Sequence, residues 1–148
     1  MLRALMTSAL LISSLSGCDF LDELLETENA GPELTAAALS GKVLLFTNPD
    51  PDPSIGEHGT WDYTFRNSSA VGCNSQGSYT SDGWEVMDAN TIRIYFGQHW
   101  EQYRMDSMQG SLSDISLKGT FRLTSSVPGN EVDGRFSQAA TGRYGECR

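Results

Sequence analysis

Three cysteines, two histidines and a set of arginines are the side chains of this 148-residue chain whose types could do chemistry. His58 and His99 could each serve as the base of a Ser-His-Asp arrangement, because triads are assembled in space and not in sequence. No Gly-x-Ser-x-Gly elbow accompanies them, however, and the serines fall mostly in polar, loop-like stretches. No phosphate-cradling Gly-x-x-x-x-Gly-Lys loop or dinucleotide fingerprint is present. Carboxylates are abundant, but nothing in their spacing orders two of them into an acid and a base for glycoside hydrolysis. The chain therefore reads as a non-enzyme, with no cofactor expected. Cys73 and Cys147 offer two thiols that could close a disulfide across about 75 residues, contributing on the order of 4 kcal/mol by restricting the unfolded chain. The alternative, a metal site, would need clustered His and Cys partners that are missing from the sequence around them.

The arginines are less generic. Arg66, Arg93, Arg104, Arg122 and Arg135 each fall on the polar side of a different expected strand. If neighbouring strands bring several together, they form a cationic band suited to carboxylate or phosphate groups on an anionic partner, through the planar paired donors of guanidinium. The competing reading is that they solvate an outer face and pair across strands with Asp62, Glu85 or Asp106.

Compartment is set by the first 18 residues. Arg3 supplies a positive start, residues 4–12 form a mainly apolar run, and Leu15-Ser16-Gly17 leads directly into Cys18. The run is too short to span a bilayer, which needs about 20 apolar residues. In order and spacing this resembles the bacterial lipobox, Leu-[Ala/Ser/Thr]-[Gly/Ala]-Cys, at the end of lipoprotein signal peptides. The resemblance implies that residues 1–17 are removed and that Cys18 carries a thioether-linked diacylglycerol as the first residue of the mature chain. An ordinary cleaved signal followed by a chance cysteine is the alternative. Two or three acyl chains, such as palmitate, anchor durably at about 0.8 kcal/mol per buried methylene. Asp19 follows Cys18, and in enterobacterial lipoproteins an aspartate there goes with retention at the inner membrane, which favours the inner over the outer membrane.

Removing Arg3 leaves nine basic against 19 acidic residues in residues 18–148, a net charge of −10. That balance argues against nucleic acid and against electrostatic adsorption to anionic lipid, so the lipid itself must anchor the protein. In such an oxidising compartment Cys73 and Cys147 remain as an even pair once Cys18 is acylated.

Residues 18–32 read as a lipid-anchored acidic spacer, with Leu21, Leu24 and Leu25 at helical spacing, and residues 33–148 as a single domain. A second short helix is expected over 33–40, started by Pro32 and ended by Gly41. Residues 42–47 then form a first strand, stopped by Asn48-Pro49-Asp50-Pro51-Asp52-Pro53, a stiff extended loop that leads to an exposed Ile55. From Gly59 onward apolar and polar residues alternate, the signature of strands with one buried face. Trp61, Tyr63 and Phe65 share one face; Ile92, Ile94 and Phe96 another; Tyr103 and Met105, Leu117, Phe121 and Leu123, and Val132 and Phe136 continue it. Asn67 to Cys73 is expected as a polar loop, and His99-Trp100-Glu101 as a turn between two strands, either part of a barrel rim or an exposed loop with Trp100 folded onto the core. The expected fold is all-β in the main: an antiparallel meander of seven or eight strands forming a small barrel or sandwich, preceded by short helices.

The stretch Leu39-Ser40-Gly41-Lys42 entering a strand, followed by Gly59-Thr60-Trp61 and later Gly83-Trp84-x-Val86, resembles small exported lipocalin-like proteins, in which a glycine and an aromatic mark the start of a barrel strand. Membrane-anchored lysozyme inhibitors and periplasmic metalloprotease inhibitors share the general plan of an exported barrel, although no inhibitory motif of theirs is found here. Two functional readings follow. One is an envelope accessory or inhibitor module that binds another protein; the other is a carrier holding a small apolar or amphipathic ligand inside the barrel. A purely structural envelope role is the third.

Replacing the anchoring thiol tests the leader. Cys18→Ala is expected to abolish labelling by radioactive palmitate and to move the protein from the membrane to the soluble fraction; unchanged labelling would exclude lipidation at this residue.

Overall fold

Alternation builds the first face. In β2 (Thr60–Phe65) Trp61, Tyr63 and Phe65 turn to one side and are buried, each with a polar neighbour on the other side. A six-residue strand that presents three aromatic rings on one face must find an apolar surface of the same length. It finds it in β1 (Val43–Thr47), whose Leu44 and Phe46 turn the same way. The remaining strands are β3 (Ala70–Asn74), β4 (Gly77–Thr80), β5 (Gly83–Asp88), β6 (Thr91–Phe96), β7 (His99–Gln109), β8 (Lys118–Ser125) and β9 (Val132–Ala139). The computed structural model describes residues 32–51 and 59–143. The leader with Cys18, the acidic spacer, Ile55, His58 and Cys147 lie outside the described residues.

All nine strands join one antiparallel sheet in the order β4-β3-β2-β1-β9-β8-β7-β6-β5. The protein is all-β, and the sheet curls into a half-barrel. The order is a meander with one long-range closure: the first strand pairs with the last, Phe46 opposite Phe136, and this joins the two hairpin runs. The sheet's two ends meet at one corner. The Ser81 N–H donates to the Ala70 carbonyl at 2.8 Å and the Asp82 N–H to the Tyr95 carbonyl at 2.8 Å, so the link between β4 and β5 bonds to both flanks. Ring contacts between Phe65 and Trp84 (5.0 Å) and between Tyr79 and Phe96 (5.7 Å) fill the same corner.

The concave face is the core. Phe46 lies at its centre, with ring centroids of Tyr103, Phe121 and Trp61 at 4.5, 5.1 and 5.9 Å. Leu34 and Leu39, from a single helical turn α1 (Ala36–Leu39) and the residues before it, join the same cluster. The helix is shorter than the expected 33–40 because its start is set by Thr35, whose hydroxyl accepts the Ala38 N–H at 3.1 Å, and not by Pro32.

Three further expectations change. There are nine strands among the described residues, not seven or eight, because Ala70–Asn74 is a strand where a polar loop was expected. Its sequence hides the pattern. Its inward residues are the small Ala70 and Gly72, and a Cβ at Gly72 would lie 2.7 Å from Tyr63 Cε1 under the Tyr63 and Tyr79 rings. Its outward residues Val71 and Cys73 are also buried, as a second small cluster. His99-Trp100-Glu101 is the start of β7 and not a turn, because the reversal is confined to Gly97-Gln98, with Gly97 left-handed at φ 60°. Trp100 consequently belongs to the outer face, under Arg93, and not to the core.

Phe46→Ala removes the ring against which five other aromatics pack. The expected cost is about 3 to 5 kcal/mol, read as a drop in the urea midpoint. A loss below about 1 kcal/mol would mean that the neighbouring rings collapse into the space.

Candidate functional site

Polar groups gather at two places, one on each face of the sheet. Inside the curl, the Tyr63 and Tyr103 hydroxyls both donate to Glu101 Oε2 at 2.7 Å. The Tyr79 hydroxyl donates to Tyr63 at 3.2 Å, and the Trp61 indole N–H to the Tyr103 hydroxyl at 3.0 Å. One carboxylate oxygen thus organises three phenols contributed by β2, β4 and β7. Such a group can sit in an aromatic interior only because it is hydrogen-bonded there. Burial pushes the Tyr63 and Tyr103 hydroxyls well above the ordinary tyrosine range, and the nearby Glu101 charge acts in the same direction. Burial likewise raises Tyr79, to about 12. Phenols held protonated this way are poor proton acceptors at neutral pH. The cluster is a structural tie across the curl.

The outer face holds the arginines. Antiparallel register sets their neighbours. In one cross-strand row Arg93 faces Gln102; its Nη2 donates to Gln102 Oε1 at 2.6 Å, and the guanidinium lies 4.8 Å over the Trp100 ring. In the next row Arg104 stands directly opposite Arg122, and Arg122 opposite Asp133. The two like charges are accommodated because each has its own carboxylate, Asp106 at 2.7 Å from Arg104 and Asp133 at 2.8 Å from Arg122. The paired donors of Arg122 hold the Asp133 carboxyl below its usual range. A third row runs Thr47, Arg135, Thr120, Ser107, and a fourth Leu45, Ser137, Lys118, Gln109.

Arg93, Arg104, Arg122 and Arg135 are thereby brought together on the outer face of four consecutive strands, β6 to β9. Arg66 is not. It lies past β2 at the Lys42 end of β1, whereas Arg135 is opposite Thr47 at the other end. Of the three acids expected to pair with arginines, Asp106 does so. Glu85 is opposite Arg93 in register but accepts the Tyr95 hydroxyl. Asp62 is fully buried, and its Oδ2 accepts the Arg143 N–H at 2.8 Å, tying the C-terminal segment over β2. Lys118 was not singled out from sequence, although its period of two from Arg122 already placed it on this face. Glu101 was seen as a rim residue; Tyr103 is its same-face neighbour on β7, but Tyr63 comes from β2, which only the fold brings near.

Other candidates are plainly located. His99 is exposed, with Nδ1 3.4 Å from Ser126 Oγ, a hydroxyl that also accepts the Trp100 N–H at 3.0 Å. Among the described residues no group of three or more potential metal ligands comes together, and no helix is long and apolar enough to cross a membrane. Comparison with family models, with characterised proteins and with solved structures returns no match for this chain.

The phenol cluster makes a pH prediction. An unfolded tyrosine ionises near pH 10, whereas Tyr79 in the fold holds its proton to about 12. Above about pH 10 the folded chain therefore binds more protons than the unfolded one, and stability falls with rising pH. The contribution is complete below about pH 10 and is lost as pH climbs toward the folded values. The urea midpoint should decline between about pH 10 and about pH 12, and Tyr79→Phe should flatten that decline. An equally steep decline in the variant would show that this hydroxyl is not coupled to folding.

Proposed function

We propose that this protein is a bacterial envelope lipoprotein, held through a diacylglycerol on Cys18 with its domain facing the periplasm or exterior, and that it works as a non-catalytic module that binds or inhibits another protein. The leader and its Leu-Ser-Gly-Cys ending support the anchor, and Asp19 supports the inner membrane. The observation that favours a protein partner over a ligand carrier is the filling of the concave face. Phe46, Tyr63, Phe65, Tyr103 and Phe121 are all essentially fully buried and pack ring against ring where a carried molecule would lie. The polar features open to solvent are on the convex face, on rigid strands.

A Cys73–Cys147 disulfide belongs to the same proposal. Cys73 is fully buried and is not without a partner. Its cross-strand neighbour Asp62 accepts the N–H of Arg143, which brings the chain within four residues of Cys147 to the same strand pair. Such a bridge would hold the C-terminal segment over β2 and β3.

Native mass spectrometry of the lipidated protein, extracted gently from its own host, tests the reading. A protein partner in fixed stoichiometry is the expected result. A discrete small molecule retained on the folded domain, with no protein bound, would overturn it in favour of the carrier.

A further inference from the structure

The third and fourth cross-strand rows enclose an open groove of about 390 Å³ on the convex face. It runs over β1, β9, β8 and β7, with Gly119 and Phe136 behind it. Two cations line it, Arg135 and Lys118, and no carboxylate does, in a chain with 19 acidic residues against 10 basic. Their charge is uncommitted. Arg104 and Arg122 have their carboxylates and Arg93 its glutamine and indole, but among the described residues neither the Arg135 nor the Lys118 side chain has a hydrogen-bond or ion-pair partner.

The absence of an acid from the groove is built into the fold. Outward residues of β7 should recur every second position from Arg104, which would set Asp106 opposite Thr120 and beside Arg135. A bulge between Met105 and Ser107 intervenes, so Ser107 faces Thr120 and Asp106 turns back to Arg104. The Ser107 and Thr120 hydroxyls then bond to each other at 2.9 Å. One inserted residue removes the carboxylate that would have neutralised Arg135.

We propose that this groove is the docking site for an extended acidic segment of the partner protein, with Asp or Glu at alternate positions. This rests on the reading of the protein as a protein-binding module. Arg135 on β9 and Lys118 on β8 are diagonal cross-strand neighbours, two residues apart along the strands and one strand across, about 7 to 8 Å from each other. An extended peptide repeats its side chains on one face about every 6.7 Å, close to that diagonal and within reach of the two long cationic side chains, so successive alternate carboxylates meet the guanidinium and then the ammonium. A single phosphate or acidic sugar brings one anionic group to two separated cations. Thr47, Ser137 and Gln109 flank the cations with uncharged donors and acceptors for the peptide backbone. The chain's net charge of −9 repels an acidic partner at long range, so recognition is local and weakens with salt.

The test uses the lipidated mature protein in neutral-detergent micelles and fluorescence anisotropy of a labelled Glu-Thr-Glu-Thr-Glu peptide at low salt. Binding is expected, with Arg135→Gln and Lys118→Gln each weakening it about threefold to tenfold and Arg122→Gln, already paired with Asp133, changing it little. Both substituted residues are exposed, and an unchanged thermal midpoint shows that the fold is intact. No binding, or binding indifferent to both variants, overturns the proposal. So does displacement of the peptide by glucose 1-phosphate at equal or lower concentration, which would assign the groove to a phosphorylated ligand. A protein partner found by native mass spectrometry whose binding is untouched in the Arg135→Gln, Lys118→Gln double variant would remove this site and leave the protein-binding reading standing. A small-molecule adduct found in place of a partner would remove that reading itself.

Discussion

The pairing of β1 with β9 is the constraint on which the sheet depends. Each hairpin run, β1 to β4 on one side and β5 to β9 on the other, has local connections that can form early. Neither run covers its own aromatic face. Only when Phe46 meets Phe136, 90 positions later, does the rings' shared surface leave water, and the contacts of Phe46 with Tyr103, Phe121 and Phe136 all presuppose it. The loop-closure entropy of that step must be met before the burial rewards it. This places the least local contact of the fold at its energetic centre, and it explains why β1, a strand of five residues, is flanked on both sides. The contact between Arg143 and the buried Asp62 reinforces the same closure from the outside, since it ties the segment after β9 back onto β2.

The same closure brings Glu101 under the phenols. Tyr63 and Tyr103 are opposite neither each other nor Glu101 along any one strand pair; they meet because the sheet curls. A carboxylate at a partly open edge of the core, sharing one oxygen between two phenols, joins β2 to β7 where no backbone ladder connects them. Hydrogen bonds of this charge-assisted kind are directional, so they fix the degree of curl in a way that ring packing alone does not. The interior is consequently both filled and pinned, and the surface on which recognition can act is the outer one.

Much of this was legible in the chain. Alternation marked β2, β6, β8 and β9, and it put Arg93, Arg104, Arg122 and Arg135 on one polar face. What it could not carry was register. Parity says which face a residue takes, but its neighbours across the sheet depend on pairings between distant strands, and Arg66 left the band for that reason alone. β3 escaped notice because its inward residues are small, Ala70 and a Gly72 demanded by two tyrosine rings, and its outward residues are buried as well, so neither face shows contrast. Asp62 gave the opposite error. On an alternating strand it reads as a solvent-facing acid, yet the C-terminal segment covers it and its carboxylate caps a backbone N–H. The bulge in β7 left only a faint mark in the sequence, the adjacent polar pair Asp106-Ser107 between Met105 and Met108, which both reach the core.

That bulge decides how charge is distributed on the outer face. With regular alternation Asp106 would lie between Arg104 and Arg135 and could satisfy either. Displaced by one residue, it is confined to Arg104, and the cations divide into a paired row, Arg104 and Arg122, and two further rows whose Arg135 and Lys118 have no partner among the described residues. An exposed, paired arginine has spent its directional capacity and interacts with a partner only through a screened residual field. An unpaired one keeps its full fork of donors. Between them, a single inserted residue in β7 and the distant pairing of β9 with β1 make the Arg135 and Lys118 end of the sheet chemically different from the Arg104 and Arg122 end, although basic residues line both.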